Sequence, residues 1–268
     1  MKTIYKMAFM AAVVALLVSI GPVRSFADKI DDSIESSAKK TYVYEKYLKD
    51  DAIKIESKDG VVTLTGTVAE GSHKSMAQET VASLPGVKSV DNQLKIKDAP
   101  AEKSDAWLTT KVKTALLFHR NVSVMTEVTT KDGIVSLKGE ADNSAQKELT
   151  TEYAKDVEGV KEVKNEMSIA MKGGKPDKQT LGYKMNEMGE SIDDASITAL
   201  VKMTLLYHRS TSAIQTKVET ENGLVTLEGQ AGNAAEKALV TKYVEDVHGV
   251  KSVINNMTIK NPKMAAKS

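Results

Sequence analysis

Four histidines, three matched asparagines and one cluster of tyrosines and lysines are the side chains here with chemistry to offer. His119 and His208 stand in the matching contexts Leu-Leu-Phe-His-Arg and Leu-Leu-Tyr-His-Arg. Imidazoles so placed could ligate a metal or change charge near neutral pH. No second ligand accompanies either one, and both close a helical segment, where a cationic ring complements the helix dipole; the residues favour that reading. His73 and His248 are isolated and lean the same way. Asn92, Asn165 and Asn255 read as amides that satisfy buried backbone groups at a strand or loop junction, ligand recognition being the other use.

Two stretches have the composition of a contact surface. Tyr42, Tyr44 and Tyr47, with Lys39, Lys40, Lys46 and Lys49, make a helix that is amphipathic, basic and aromatic, as a membrane-surface or partner helix is. A core reading competes for Tyr42 and Tyr44, and Asp50 and Asp51 weaken the charge. The other stretch carries Val240 and Val244 where its counterpart has Thr150 and Ala154. Its apolar stripe is wider than a two-layer domain needs, which fits a membrane or partner contact or packing on a neighbouring repeat.

Much other chemistry is excluded. With no cysteine there is no disulfide framework, thiolate metal site or thiol nucleophile. The chain lacks Gly-x-Ser-x-Gly and His-Glu-x-x-His, and Gly173-Gly174-Lys175-Pro176 has neither the spacing nor the hydroxyl of a P-loop. We therefore expect no enzyme, no catalytic residue, no cofactor and no metal. Removing the leader described below takes away Lys2, Lys6 and Arg24, leaving 34 of the 37 basic side chains against 36 acidic ones, a formal charge of −2. With few aromatics as well, nucleic acid is not an expected partner.

The elements that position these residues come from a repeat. Lys58 to Gly66 recurs as Lys131 to Gly139 and as Glu221 to Gly229, and a Gly-Val pair follows each turn glycine by 26 residues, at Gly86, Gly159 and Gly249. Asp59-Gly60, Asp132-Gly133 and Asn222-Gly223 are hairpin turns that tolerate positive φ, each followed by an alternating strand. Gly66, Gly139 and Gly229 leave room for a close neighbour. Each copy reads helix, strand, strand, helix, strand, an α+β order αββαβ over roughly 65 residues, near the lower limit for an independent core. In repeat 1 one helix runs from Ile34 through Ala38 and Tyr42 to Leu48. In repeat 2 the second helix, from about Asn143, shows Ala145, Leu149, Tyr153 and Val157 on one face.

Residues 1–27 read as a secretory signal: Lys2 and Lys6, an apolar run from Met7 to Ile20, and Ser25-Phe26-Ala27 as a cleavage site, so the predicted mature chain starts at Asp28 in the periplasm. The domains follow as 31–97, 104–171 and 193–260, with a linker at 172–192 and a disordered tail at 261–268. The short connection between repeats 1 and 2 predicts one unit, with repeat 3 swinging more freely.

Asp-Gly-Val-Val-Thr-Leu-x-Gly about 26 residues before Gly-Val-x-x-Val-x-Asn, in units behind a signal peptide, closely resembles the BON domain family of bacterial envelope proteins, typified by OsmY. The resemblance covers nearly the whole mature chain, with three copies where two are usual. It implies a three-stranded mixed sheet covered on one face by two helices. It also implies an exported, non-enzymatic protein of osmotic or envelope stress, with anionic phospholipid as the ligand proposed for some members. The predicted function is therefore binding to anionic phospholipid or another envelope surface through Tyr42, Tyr44, Lys46 and Tyr47 or through Val240 and Val244. The alternative is a chaperone-like protein that holds envelope or outer-membrane polypeptides.

Overall fold

The computed structural model describes residues 26–97, 100–122, 126–170, 191–211 and 216–260. Residues 1–25 of the expected signal, most of the 172–192 linker and the 261–268 tail lie outside the described residues.

Each repeat is built on a hairpin. In repeat 1, β1 (Ala52–Lys58) pairs antiparallel with β2 (Val61–Val68), and Asp59 and Gly60 both take positive φ, 53° and 80°, so that the turn twists with its strands. A carboxylate from the preceding helix clamps the turn: Asp31 accepts from the Asp59 and Gly60 amides at 2.7 and 3.0 Å. Asp105 and Asp194 do the same for the other two turns. The chain then crosses through α3 (Gly71–Ala82) and returns as β3 (Ser89–Asn92) and β4 (Lys95–Ile96), both parallel to β2, giving the expected mixed sheet in the order β1-β2-β3. Val62, Leu64 and Val68 point to the helices and are buried. Gly66 sits where the edge strand bends in; a Cβ there would lie 1.9 Å from the Ala52 carbonyl oxygen.

Repeat 2 repeats this with α4 (Asp105–Leu117), β5 (Glu127–Lys131), β6 (Ile134–Lys138), β7 (Glu140–Ala141), α5 (Ser144–Lys155), β8 (Glu162–Asn165) and β9 (Ser168–Ile169). Repeat 3 has α6 (Asp194–Tyr207), β10 (Thr216–Glu221), β11 (Leu224–Ala231), α7 (Ala234–Glu245), β12 (Ser252–Asn255) and β13 (Thr258–Ile259). The three asparagines explain the split last strand. Asn165 Oδ1 accepts the Met167 amide at 3.0 Å while its Nδ2 donates to the Lys147 carbonyl and the Thr151 hydroxyl; Asn255 is bonded in the same way, and Asn92 likewise with Gln78 Oε1 in place of the hydroxyl. Their polar capacity is spent on the fold, as the structural reading anticipates.

The first helix of repeat 1 departs from expectation. It breaks into α1 (Phe26–Lys40) and α2 (Tyr42–Lys46) at Thr41, whose hydroxyl donates to the Ala38 carbonyl at 2.7 Å and accepts from the Tyr44 amide. The amides freed by the break are met by repeat 3: Tyr42 donates to Asp193 Oδ2 at 2.7 Å and Val43 to the Ser196 hydroxyl at 3.0 Å.

Repeat 3 is also the centre of the molecule rather than a swinging end. Nine residues of α6 are buried, including Ser196, Thr198 and Thr204, because α3 of repeat 1 packs along it and α4 of repeat 2 touches it. The cores of repeats 1 and 3 merge into one apolar cluster that takes in Phe118 of repeat 2, and Lys202 pairs with Glu79 across α6 and α3 at 3.0 Å.

Candidate functional site

The expected contact residues do not form a surface. Tyr42 and Tyr44 are turned inward by the break at Thr41 and are buried, as are Val240 and Val244, which reach the core of repeat 3. These four cannot meet a bilayer or a partner in this fold. Lys46 is exposed; Tyr47 is half-buried, its ring edge-on to Phe118 at 6.5 Å. The wide stripe of α7 serves two neighbours: Val240 and Val244 face their own sheet, while Leu239 and Tyr243 face repeat 2.

What does converge is a set of six side chains between repeats 2 and 3. His119 and His208, each following the last turn of its repeat's first helix, meet with Nε2 atoms 2.9 Å apart and are fully buried. Around them the second helices exchange bonds: the Tyr153 hydroxyl donates to Asp246 Oδ2 at 2.7 Å, and the Tyr243 hydroxyl to Asp156 Oδ2 at 2.8 Å. The Tyr153 ring stacks on His119 with centroids 3.7 Å apart, and Tyr243 lies 4.4 Å from His208. The backbones are joined too, since the Arg120 amide donates to the Asp246 carbonyl at 2.8 Å and the Arg209 amide to the Asp156 carbonyl at 2.6 Å. Repeats 2 and 3 thus offer the same patch to each other, an isologous contact within one chain.

The hydrogen bond between the rings fixes their protons. One Nε2 must donate and the other accept, so of the two Nδ1 atoms one carries a proton and one is bare. His119 Nδ1 lies 3.2 Å from Asp246 Oδ2 and His208 Nδ1 lies 3.6 Å from Asp156 Oδ2. The shorter approach assigns the Nδ1 proton to His119, and His208 then donates from Nε2. Neither Nδ1 makes a well-directed hydrogen bond. The carboxylates are occupied: Asp156 accepts from Tyr243 and from the Ser210 amide and hydroxyl, Asp246 from Tyr153 and Asn121. Burial holds the His119 pKa below its ordinary value against the pull of Asp246. Burial and then the neighbouring His119 hold His208 well below. Burial likewise lowers nearby His248 to about 4 and raises both tyrosines. Rings without solvent access reach no substrate, and no group of three or more His, Cys, Asp or Glu among the described residues could hold a metal ion.

The family model described as BON domain matches residues 30–98, 104–171 and 193–261. The chain belongs to the BON domain family. Among BON proteins and other relatives, osmotically-inducible protein Y of Escherichia coli (strain K12) is 32% identical over 155 residues, 56% of this chain and 76% of that protein. An uncharacterized protein of Anaplasma centrale is 28% identical over 160 residues, 60% of this chain and 97% of that one. Among solved structures, CdsD, a structural protein of the type III secretion system of Chlamydia trachomatis, aligns over 89% of this chain and 95% of its own at 17% identity, with a TM-score of 0.24, too low to carry an argument.

Against the BON repeat, the histidines are the residues that sequence reasoning misplaced. They do follow the helix ends, but as buried rings with depressed pKa in an interface rather than as cations complementing the helix dipole. The signal lay in their company: Tyr153 and Asp156 match Tyr243 and Asp246, whereas repeat 1 has Thr80 and Ser83 at those positions. His73 does not close a helix either; it stands at the start of α3, 2.6 Å from Asp51.

Proposed function

We propose that this BON protein is a non-enzymatic envelope protein of osmotic stress, exported by the 1–27 signal, cleaved after Ala27 into the periplasm, where it meets anionic phospholipid headgroups. The relationship to osmotically-inducible protein Y carries the stress and envelope part of this reading. The lipid part rests on the exposed lysines around the helix break, Lys39, Lys40, Lys46 and Lys49, which remain at the surface although the tyrosines beside them do not. Contact is then by charge, at about 1 kcal/mol or roughly fivefold in affinity per lysine near an anionic surface, and is screened by salt. No helix among the described residues is long and apolar enough to cross a membrane.

A second reading, holding envelope polypeptides, loses the apolar helix faces it called on, since they are covered. One observation still favours it: Ile96, Ile169 and Ile259, at one position of the three last strands, are 37%, 47% and 48% exposed. Co-sedimentation with vesicles of phosphatidylcholine, alone or mixed with phosphatidylglycerol, at low and physiological salt tests the first reading. Binding confined to anionic vesicles and lost on replacing the four lysines by glutamine is the expected result. Binding to neither vesicle overturns it and shifts the weight to polypeptide partners.

A further inference from the structure

We propose that the His119–His208 pair is a proton-operated latch: neutral, it fastens repeat 2 to repeat 3, and acidification releases them. The geometry sets the mechanism. The 2.9 Å contact between the two Nε2 atoms needs one proton between them; a proton on both puts two N–H donors face to face with no acceptor.

The surroundings decide whether the charge can be absorbed in place. From α5 the pair faces Tyr153 and Asp156, from α7 Tyr243 and Asp246, from the segment after α4 Arg120, from the segment after α6 Arg209, and from the segment after α7 His248. Asp246 favours a proton on His119, but both carboxylates are committed to Tyr243, Ser210, Tyr153 and Asn121, and at 3.2 and 3.6 Å from the Nδ1 atoms neither makes a well-directed hydrogen bond to its ring. Arg120 disfavours a proton on His248. Both rings are fully buried; burial outweighs Asp246 at His119, and burial and then His119 act together on His208, so the closed state excludes the protons that the open state accepts.

The sign follows from linkage. Both rings hold fewer protons when closed, so the closure they provide is complete above the ordinary histidine value of 6.5 and is lost as pH falls below it through the depressed values of the closed state. Each ring shifts the ratio of open to closed by up to about tenfold per pH unit, and the two together by up to about a hundredfold. The contact of repeats 1 and 3 is built differently, on Glu79–Lys202 and on Asp193 and Ser196 meeting the amides of α2. It has no histidine pair, so opening is confined to one side of repeat 3.

The absence of cysteine allows dyes to be placed at will in the full chain. Lys164→Cys with Glu228→Cys reports the distance between repeats 2 and 3, and Lys54→Cys with Glu228→Cys the distance between repeats 1 and 3. Energy transfer across the first pair should fall between pH 7.5 and 5 while the second holds. In the double variant His119→Gln with His208→Gln, whose amides can pair without titrating, the first pair should stay closed. In His248→Gln it should open as in the natural chain. Ring signals followed by NMR in the natural chain give a reading that depends on no variant's folding: those of His119 and His208 should change in step with opening rather than titrate freely near 6.5. A distance between repeats 2 and 3 that is constant to pH 5, opening that persists in the double glutamine variant, or opening abolished by His248→Gln would each overturn the latch.

Discussion

Phe118→Ala should loosen repeat 2 from the other two repeats. Phe118 belongs to repeat 2 by chain, but its fully buried ring lies in the merged core of repeats 1 and 3, edge-on to Tyr47 at 6.5 Å. Its carbonyl accepts the His248 amide at 3.2 Å, so the backbone is fixed and cannot slide to fill a hole. Truncating a buried phenylalanine costs about 3–5 kcal/mol, a large part of the roughly 5–15 kcal/mol that holds a protein folded. With a urea dependence of about 3 kcal/mol per molar, that moves the midpoint down by about 1 M or more. The loss should fall unevenly. Trp107, the chain's one tryptophan, lies on α4 with the Lys111 ammonium 4.4 Å from its ring centre, and its fluorescence reports repeat 2 alone. In the natural chain, urea curves from Trp107 fluorescence and far-UV circular dichroism should coincide. In the variant the fluorescence midpoint should fall first, giving two transitions. Coincident curves with a shift below about 0.3 M would refute the idea that this ring couples the repeats.

Gly66→Ala sets a Cβ against the Ala52 carbonyl at a φ of +116° and should cost at least about 2 kcal/mol in urea unfolding. Asn165→Ala takes the acceptor from the Met167 amide, while the Lys147 carbonyl keeps the Thr151 hydroxyl, and should cost about 1–3 kcal/mol, with vesicle binding unchanged in the co-sedimentation assay. Val240→Asp buries a charge in the core of repeat 3 and should lower the circular dichroism melt and expose the chain to protease, as a surface contact would not. The Gly133 and Asp132 amides hold the Asp105 carboxyl below its usual pKa, so its clamp on the turn is in place above 3.8 and lost as pH falls through the lower folded value. Asp105→Asn should flatten the acid end of the stability profile; an unchanged slope there would deny the clamp that role.

Local geometry was legible in the sequence; the directions in which the helices face were not. The hairpins could be read because a tight turn with two positive φ values admits few residue pairs, and Asp-Gly and Asn-Gly are among them. The asparagines could be read because only a need of the fold recurs identically three times. The stripe Ala145, Leu149, Tyr153 and Val157 is covered only in part and not by its own sheet alone: Val157 is buried but Ala145 is exposed, and α5 turns Thr150 and Ala154 to its own sheet while Leu149 and Tyr153 face repeat 3. Thr150 packs like an apolar residue because its hydroxyl donates to the Gln146 carbonyl one turn back at 2.8 Å, so its polarity never reaches the core. A hydrophobic stripe shows that a face is covered, not by what. In α6 the sign is present: Ile197, Ala199, Leu200, Val201, Met203 and Leu205 surround the helix, which therefore needs neighbours on every side.

One fold used three times need not make one interface three times. Repeats 2 and 3 keep Tyr and Asp at matching positions of the second helix, so each patch complements a copy of itself, and a single histidine per repeat supplies both halves of the ring pair. Repeat 1, with Thr80 and Ser83 there, cannot complete such a pair. Its second helix is free to lie along α6 instead, on the flank that the pairing of repeats 2 and 3 leaves open. Thr80, Ser83 and the lack of a histidine at the end of its first helix therefore separate the contact of repeat 1 from the titratable one. That division allows repeats 1 and 3 to remain a stable body while repeat 2 responds to protons.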